Sequence, residues 1–181
     1  MEKLLNQLKA HYPLTDVIEQ RPDLAFITIP RDRALDLVDH LKRHHGFTHL
    51  VILTAVDWIE DGKFQLTYLL NNPATMDDVG VRVMIDREGA SMESIHHLWI
   101  TAATYQRELK EMFGIDFPGS PRVDTPFILE GWKDLPPYRR DFDTKAYSER
   151  TFFPRPGRTT SDPATHMREK MYPTKGGGDN V

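Results

Sequence analysis

The sequence predicts an α+β fold, in which a single domain with a mixed or antiparallel sheet packed by helices precedes a long extended C-terminal tail. Segments of alternating apolar residues and segments of helical periodicity follow one another without strict βαβ order, which favours α+β over α/β. The chain has 181 residues with 39% hydrophobic content, enough for one core. Nine of its 13 prolines lie after Phe117, where apolar periodicity stops.

The predicted helices follow from apolar stripes with a 3.6-residue period. In the first helix Leu4, Leu5 and Leu8 share a face. In the second, Ala34, Leu35, Val38 and Leu41 form the stripe, and Gly46 suits the position after the helix. In the last region Ser91 is a candidate cap, with a break near Trp99–Ala102 and an end at Gly114. The predicted helical segments are Glu2–His11, Arg31–His45 and Met92–Phe113.

The predicted strands rest on apolar runs of strand length. Two short ones flank a turn at residues 21–23. The near-continuous apolar run Leu50–Val56 is typical of a central strand, and Asp61-Gly62 suits a turn after it. The next two strands alternate, with apolar residues at every second position. The predicted strands are Val17–Gln20, Leu24–Ile29, Leu50–Val56, Phe64–Leu70 and Val79–Ile85.

Charge and composition divide the chain into two predicted parts, a folded body at 1–117 and a tail at 118–181. The body carries 12 Lys and Arg against 18 Asp and Glu, whereas the tail carries 11 against nine. A tail of this composition builds no core of its own, but it is rich in the aromatic residues that binding surfaces favour. We therefore expect the tail to lie across a partner protein.

Composition excludes several classes of function. The absence of cysteine excludes Cys-ligated iron–sulfur clusters, Cys-type zinc sites, disulfides and thiol catalysis. Net charge is −4, so no broad basic field favours nucleic acid or an anionic membrane. The longest apolar run is of strand length, and the charged N-terminus is unlike a signal peptide or membrane span. We expect no insertion of this chain into a membrane.

Two sets of residues are weak candidates for chemistry of the chain's own. His40 and His44 are spaced to share a metal, but no acidic residue completes a zinc-enzyme arrangement. Glu108 and Glu111 lie three apart beside basic residues, which is more typical of a salt-bridged helix face than of a catalytic carboxylate pair. No nucleophile motif is present. A freestanding enzyme is therefore the less favoured hypothesis.

The segment Leu98–Gly119 (LWITAATYQRELKEMFGIDFPG) resembles the signature of the 30 kDa subunit family, the C-type subunit of respiratory complex I. The match runs through Gln106-Arg107-Glu108, Glu111 and Gly114-Ile115-Asp116-Phe117-Pro118-Gly119. Leu53–Asn71 and Trp132–Phe142 (WKDLPPYRRDF) are also similar to family segments. The resemblance extends over about residues 1–142, and it includes relatives of complex I such as membrane-bound [NiFe] hydrogenases and formate hydrogenlyases.

The resemblance implies a cofactor-free peripheral-arm subunit of an ion-translocating redox complex, with no active site of its own. Its implied partners are a large catalytic subunit, of the hydrogenase type or the complex I D type, and neighbouring iron–sulfur subunits. Iron–sulfur clusters, and a nickel–iron centre in the hydrogenase branch, would lie in those partners. The implied location is peripheral, on the cytoplasmic side of the cell membrane, with no nucleic acid bound.

Three departures from the family pattern favour the hydrogenase branch, with the C-type subunit of NADH:quinone oxidoreductase as the alternative. The first Glu of the signature is Gln106, the His expected after Gly119 is Ser120, and residues 123–127 (VDTPF) replace an Arg-containing run. The resemblance carries the following residues to a subunit interface: Arg107, Glu108, Glu111, Phe113, Gly114, Ile115, Phe117, Trp132, Tyr138, Arg139, Arg140 and Asp141.

Overall fold

Alternating apolar side chains in the long strands build one side of a five-stranded sheet. The sheet belongs to a computed structural model that describes residues 1–151 of the chain. The strand order is β1-β2-β5-β4-β3, in which β2 and β5 are parallel and the other pairs antiparallel. The sheet is therefore mixed, and the predicted α+β class is confirmed. The strands are β1 (Asp16–Arg21), β2 (Leu24–Thr28), β3 (His49–Trp58), β4 (Lys63–Asn72) and β5 (Asp77–Asp86).

Three helices supply the other half of the core. They are α1 (Glu2–His11), α2 (Arg31–His45) and α3 (Ala102–Phe113). Their buried residues join one cluster with the inward side chains of the sheet, such as Phe64 and Leu66 of β4, which have no exposed surface. The predicted bounds of α1 and α2 agree with the structure, and Gly46 adopts the left-handed conformation at the end of α2.

Two compact units divide the described chain. The first, Met1–Phe142, contains the sheet and the three core helices. The second begins at Asp143, and its described part is the exposed helix α4 (Thr144–Thr151). The Asp143 carboxylate accepts the backbone N–H of Ala146 at 2.9 Å and so caps α4. Residues 118–142, which the sequence analysis assigned to the tail, thus belong to the same unit as the sheet.

The position of β3 corrects one sequence prediction. This strand pairs only with β4 and forms an edge of the sheet, not its centre. Its apolar run is continuous because residues of both faces are apolar, and Val51, Ile52 and Val56 on the outer side are 36–42% exposed. Burial on two faces and exposure of an apolar face produce the same sequence pattern, so the run alone did not distinguish them.

The segment before α3 is a second correction. No helix spans residues 92–101, and α3 begins at Ala102 without a side-chain cap. Ser91 instead forms an isolated parallel bridge with Asp116, and the N–H of Met92 donates to the Asp116 carbonyl at 2.9 Å. This tertiary pairing holds the backbone extended, so the buried residues Met92 and Ile95 reach the core without helical structure.

Candidate subunit interface

The end of α3 directs the chain back onto the body. Met112 and Phe113 are buried, and Gly114 takes φ +80° while its N–H donates to the Lys110 carbonyl at 2.9 Å. Glycine is the residue that adopts this left-handed conformation without steric cost. Ile115 and Phe117 then have no exposed surface. The predicted turn and the two predicted anchors are confirmed as features of the body.

Residues 118–142, here called the strap, are bound to α3 through Glu111. Its carboxylate accepts three consecutive backbone N–H groups, from Phe127 at 2.7 Å, Ile128 at 2.8 Å and Leu129 at 3.1 Å. Hydrogen bonds to an ionised acceptor are stronger than those between neutral groups. Both oxygens are engaged, so the Glu111 carboxylate acts as a structural anchor, and the arrangement offers no free base for proton transfer.

The other charged residues of α3 differ in their surroundings. The Arg107 guanidinium lies 5.2 Å from the centre of the Phe127 ring, and the half-buried Glu108 forms no ion pair within residues 1–151. Lys110 donates to Asp116 at 2.7 Å and to Asp124. Burial lowers the pKa of Lys110, but the hydrogen bonds to the two carboxylates outweigh it, so that pKa is raised.

A buried ion pair holds the end of the strap. The side chain of Asp57, on the core face of β3, is 2% exposed and accepts from Arg87 Nε at 2.8 Å and Nη2 at 3.1 Å. It also accepts the backbone N–H of Arg140 at 2.9 Å, and Arg87 donates to Asp141 at 2.6 Å. One buried carboxylate therefore joins β3, the loop after β5 and the strap.

The pKa values of this cluster follow from its hydrogen bonds. Burial raises the pKa of Asp57, but the hydrogen bonds from Arg87 and from the Arg140 N–H outweigh it, so the net pKa is lowered. The hydrogen bond from Arg87 likewise lowers the pKa of Asp141, and the two carboxylates raise that of Arg87. All three groups are charged near neutral pH.

The remaining predicted interface residues also contact the chain itself. The Tyr138 ring packs edge-on against Phe113, with centres 5.7 Å apart, and its N–H donates to the Met112 carbonyl at 3.0 Å. The Trp132 indole N–H donates to the Leu135 carbonyl at 3.1 Å. Arg139 pairs with Asp141 at 3.3 Å, and Arg140 with Glu60 at 2.5 Å. That these residues contact a partner subunit stays a prediction.

Two departures from the family signature lie in the interior. Gln106 has no exposed surface and Ser120 has 8%, and Gln106 Nε2 and Ser120 Oγ have no hydrogen-bond partner. Ser94 connects them, because its hydroxyl donates to Gln106 Oε1 at 2.8 Å and its N–H donates to the Pro118 carbonyl at 3.2 Å. Both substitutions therefore change the packing of α3 against the strap.

The histidine candidates form a small cluster on α2. His40 Nε2 lies 3.2 Å from His45 Nε2, and the His40 and His44 ring centres are 4.9 Å apart. Burial, and then the neighbouring histidines, lower the pKa of His40 and of His45. Within residues 1–151 no group of three or more His, Asp or Glu residues is arranged to hold a metal ion.

Sequence reasoning missed Asp57 and Arg87, although a signal was present. Asp57 continues the inward alternation of Leu53 and Ala55 along β3, so the strand pattern places a carboxylate in the core. A buried carboxylate requires a charged or multiple hydrogen-bonding partner. The sequence did not reveal that Arg87 and the strap supply it, because these groups are far apart in the chain.

The outer face of the sheet is a further exposed apolar surface. Facing residues of paired strands share a side, and those of the outer side include Ile18, Ile52, Val56, Trp58 and Met84, all 36–44% exposed. Arg82 also lies there, 4.0 Å from the centre of the Phe26 ring. Contiguous exposed apolar surface of this kind is characteristic of interaction sites.

Comparison with known families decides the identity of the fold. The model of the respiratory-chain NADH dehydrogenase 30 kDa subunit matches residues 27–148, which include every predicted interface residue. The chain belongs to the 30 kDa subunit family. The C-type subunit of NADH-quinone oxidoreductase from Moorella thermoacetica is 32% identical over 145 residues, which cover 78% of this chain and 95% of that protein. The resemblance found in the sequence is thereby confirmed.

Other members of the 30 kDa subunit family differ in length. The C/D-type subunit of NADH-quinone oxidoreductase from a Hydrogenobaculum species is 26% identical over 147 residues, 81% of this chain but only 25% of that protein. The second C/D-type subunit of Aquifex aeolicus is 30% identical over 122 residues, 67% of this chain and 20% of that protein. The region shared with this chain is therefore a minor part of those two proteins.

Solved structures show the same fold. A chain from the membrane-bound sulfane sulfur reductase, an archaeal respiratory membrane complex, superposes with a TM-score of 0.77 and 28% identity, covering 83% of this chain and 90% of that one. A trypsin-resistant fragment of Nqo5 superposes with a TM-score of 0.58 and 26% identity, covering 66% of this chain and 96% of the fragment. Among residues 1–151, no helix has the length and apolar character needed to span a membrane.

Substitution of Asp57 by Asn tests the central ion pair of this 30 kDa family member. We expect Asp57→Asn to lower the free energy of unfolding by about 3–5 kcal/mol, because the buried Arg87 loses its charged partner. Urea denaturation measures the change. Glu60→Gln is the matched control, since its ion pair with Arg140 is exposed, and it should leave the urea midpoint nearly unchanged. Equal midpoints for the two variants would contradict the assignment.

The same cluster predicts a dependence of stability on acid. Because folding lowers the pKa of Asp57 and Asp141, their stabilisation is complete above the unfolded-state pKa of about 3.9. It is lost as pH falls through the lower pKa of the folded state. We expect the free energy of unfolding to decrease below about pH 4, and less steeply in Asp57→Asn. Parallel pH profiles would show that Asp57 does not contribute.

Substitution of Glu111 by Ala tests how the strap is held. We expect Glu111→Ala to increase hydrogen exchange at the amides of residues 127–129, because they lose their acceptor, while amides of β4 keep their protection. Mass spectrometry of deuterated peptides measures the exchange. Glu108→Ala on the same helix is the control and should leave the exchange of residues 127–129 unaltered. Unchanged exchange in Glu111→Ala would refute the anchoring role.

Proposed function

We propose that this chain is a non-catalytic, cofactor-free peripheral-arm subunit of an ion-translocating, complex I-like oxidoreductase. The superposition on a chain of an archaeal respiratory membrane complex carries the proposal, because it covers 83% of this chain and 90% of the other. A likeness over nearly the whole of both chains leaves little room for an added catalytic domain. The proposed location is peripheral, on the cytoplasmic side of the cell membrane.

The charged residues of the chain support a role without chemistry of its own. Glu111 and Asp57 are engaged in hydrogen bonds within the body, and Lys110 pairs with two carboxylates. General acid–base catalysis needs a group that can reach a substrate proton. The sequence has no cysteine, so iron–sulfur clusters, and any nickel–iron centre, belong to the proposed partners.

The proposed principal partner is the large catalytic subunit, with iron–sulfur subunits as neighbours. In two relatives of the C/D type, the region similar to this chain is joined to a much longer remainder in one polypeptide. Covalent linkage of two functions in relatives supports contact between separate subunits here. The exposed apolar side chains on the outer face of the sheet provide surface for such contact.

The predicted interface residues divide into two roles under this proposal. Glu111, Gly114 and Asp141 would act through the strap, because their contacts are internal. Tyr138 is 58% exposed and would contact the partner directly with the outer face of its ring. Positioning residues and contacting residues would thus both be needed for assembly.

Two branches of the redox family are open to the proposal, and each has an observation in its favour. We propose the membrane-bound [NiFe] hydrogenase type, supported by the departures at Gln106 and Ser120 and by the likeness to the sulfane sulfur reductase chain. The alternative is the C-type subunit of an NADH:quinone oxidoreductase. It is supported by the Moorella relative of that name, which this chain matches over 95% of its length.

Truncation after Phe142 tests the proposed role of the C-terminal residues. The cut removes residues 143–181 and keeps the unit Met1–Phe142, including the groups that neutralise Asp57. We expect the tagged full-length chain to co-purify with a large subunit, and the truncated chain to retain clearly less of it at matched expression. Full stoichiometry with the truncated chain would refute partner wrapping by residues 143–181.

The same purification decides the branch. We expect the complex held by the full-length chain to contain nickel by elemental analysis and to evolve or oxidise hydrogen. Quinone reduction with NADH in a nickel-free complex would establish the alternative branch. If the full-length chain isolates no redox subunit from its native membrane fraction, the proposed function itself is wrong.

A further inference from the structure

A groove of about 280 Å³ lies between the start of α3 and the beginning of the strap. It is lined by residues before α3, by the first turns of α3 and by Pro121 and Arg122 of the strap. All of these residues belong to the unit Met1–Phe142. The groove combines two cationic side chains, Arg107 and Arg122, with a large exposed apolar one, Ile100.

The arginines of this groove are unlike most others in the unit because they have no carboxylate partner. Neither Arg107 nor Arg122 forms an ion pair within residues 1–151, and Arg107 Nε is buried without a hydrogen-bond acceptor. A buried donor left unsatisfied costs about 1–3 kcal/mol. Arginines that do pair with a carboxylate are Arg21, Arg33, Arg43, Arg87, Arg139 and Arg140.

The local backbone keeps the two cations at the groove. The Arg107 guanidinium is held against the Phe127 ring, whose backbone N–H is in turn bound by Glu111. Arg122 has φ +54°, a left-handed conformation uncommon for a residue other than glycine. Two like charges held on one groove raise its positive potential, although residues 1–117 carry more acidic than basic residues.

Ile100 adds an apolar contact beside the cations. It is 81% exposed, more than any other large apolar side chain in the described part of the chain. Exposed apolar surface rimmed by charge is typical of protein interaction sites, whereas a free phosphate would gain nothing from it. Arginine also binds carboxylates through two parallel hydrogen bonds. The groove thus matches a peptide segment that carries both a carboxylate and an apolar side chain.

We propose that this groove binds an acidic segment of a partner subunit, with a carboxylate on Arg107 and Arg122 and an apolar side chain on Ile100. The inference rests on the proposed function, and it adds the chemistry of one contact. Residues 152–181 of the chain itself are a poor occupant, because they carry five Lys and Arg against three Asp and Glu. Like charge would repel them from the two arginines.

Photo-crosslinking in the native complex identifies the occupant. The full-length chain carries p-benzoyl-phenylalanine in place of Ile100, and the same substitution at Met76, which is 68% exposed elsewhere on the body, is the control. We expect the probe at 100 to crosslink another subunit at a segment containing Asp or Glu, and the probe at 76 to miss that segment. A crosslink to a second copy, to residues 152–181 or to lipid alone would overturn the proposal.

Charge removal measures the contribution of the arginines. We expect Arg107→Gln combined with Arg122→Gln to weaken retention of that subunit at least about tenfold, with release at lower salt. Arg21→Gln combined with Arg43→Gln removes the same charge elsewhere and should retain it fully. Urea midpoints of both variants check folding. Wild-type retention by the groove variant would refute the groove, whereas the proposed function fails only if the wild-type chain itself isolates no redox subunit.

Discussion

The buried carboxylate of Asp57 is the constraint on which the rest of the structure depends. An ionised group on the core face of a sheet is costly unless charge and hydrogen bonds compensate it. Arg87 compensates the charge, and the backbone N–H of Arg140 binds the remaining lone pair. The strap must therefore return to the sheet, and Asp141 extends the same network to the surface.

This constraint changes what the charged residues of the family signature do. Glu111 binds the backbone of the strap, and Lys110 pairs with carboxylates on either side of the turn. These residues shape the surface between α3 and the strap more than they present charge to solvent. Arg107 is the exception, since it lies on an aromatic ring and its Nε has no acceptor within the described chain. Its position links the internal order of the strap to the proposed partner contact.

The molecule therefore has two kinds of surface that suit a subunit of a larger assembly. The outer face of the sheet is apolar and broad, and the groove at Ile100 is small and positively charged. Apolar area contributes most to affinity, whereas charge contributes most to the choice and orientation of a partner. A subunit without chemistry of its own can act through both, by holding redox partners at fixed separation.

The sequence by itself determined the family, the bounds of α1 and α2, and the turn at Gly114, because periodicity, glycine conformation and signature residues are local properties. Tertiary structure alone decided that β3 lies at an edge, that residues 92–101 are not helical, and that Asp57 is neutralised by Arg87 and the strap. Each of these depends on contacts between segments distant in the chain. Local patterns do not encode which distant group satisfies a buried charge or covers an apolar face.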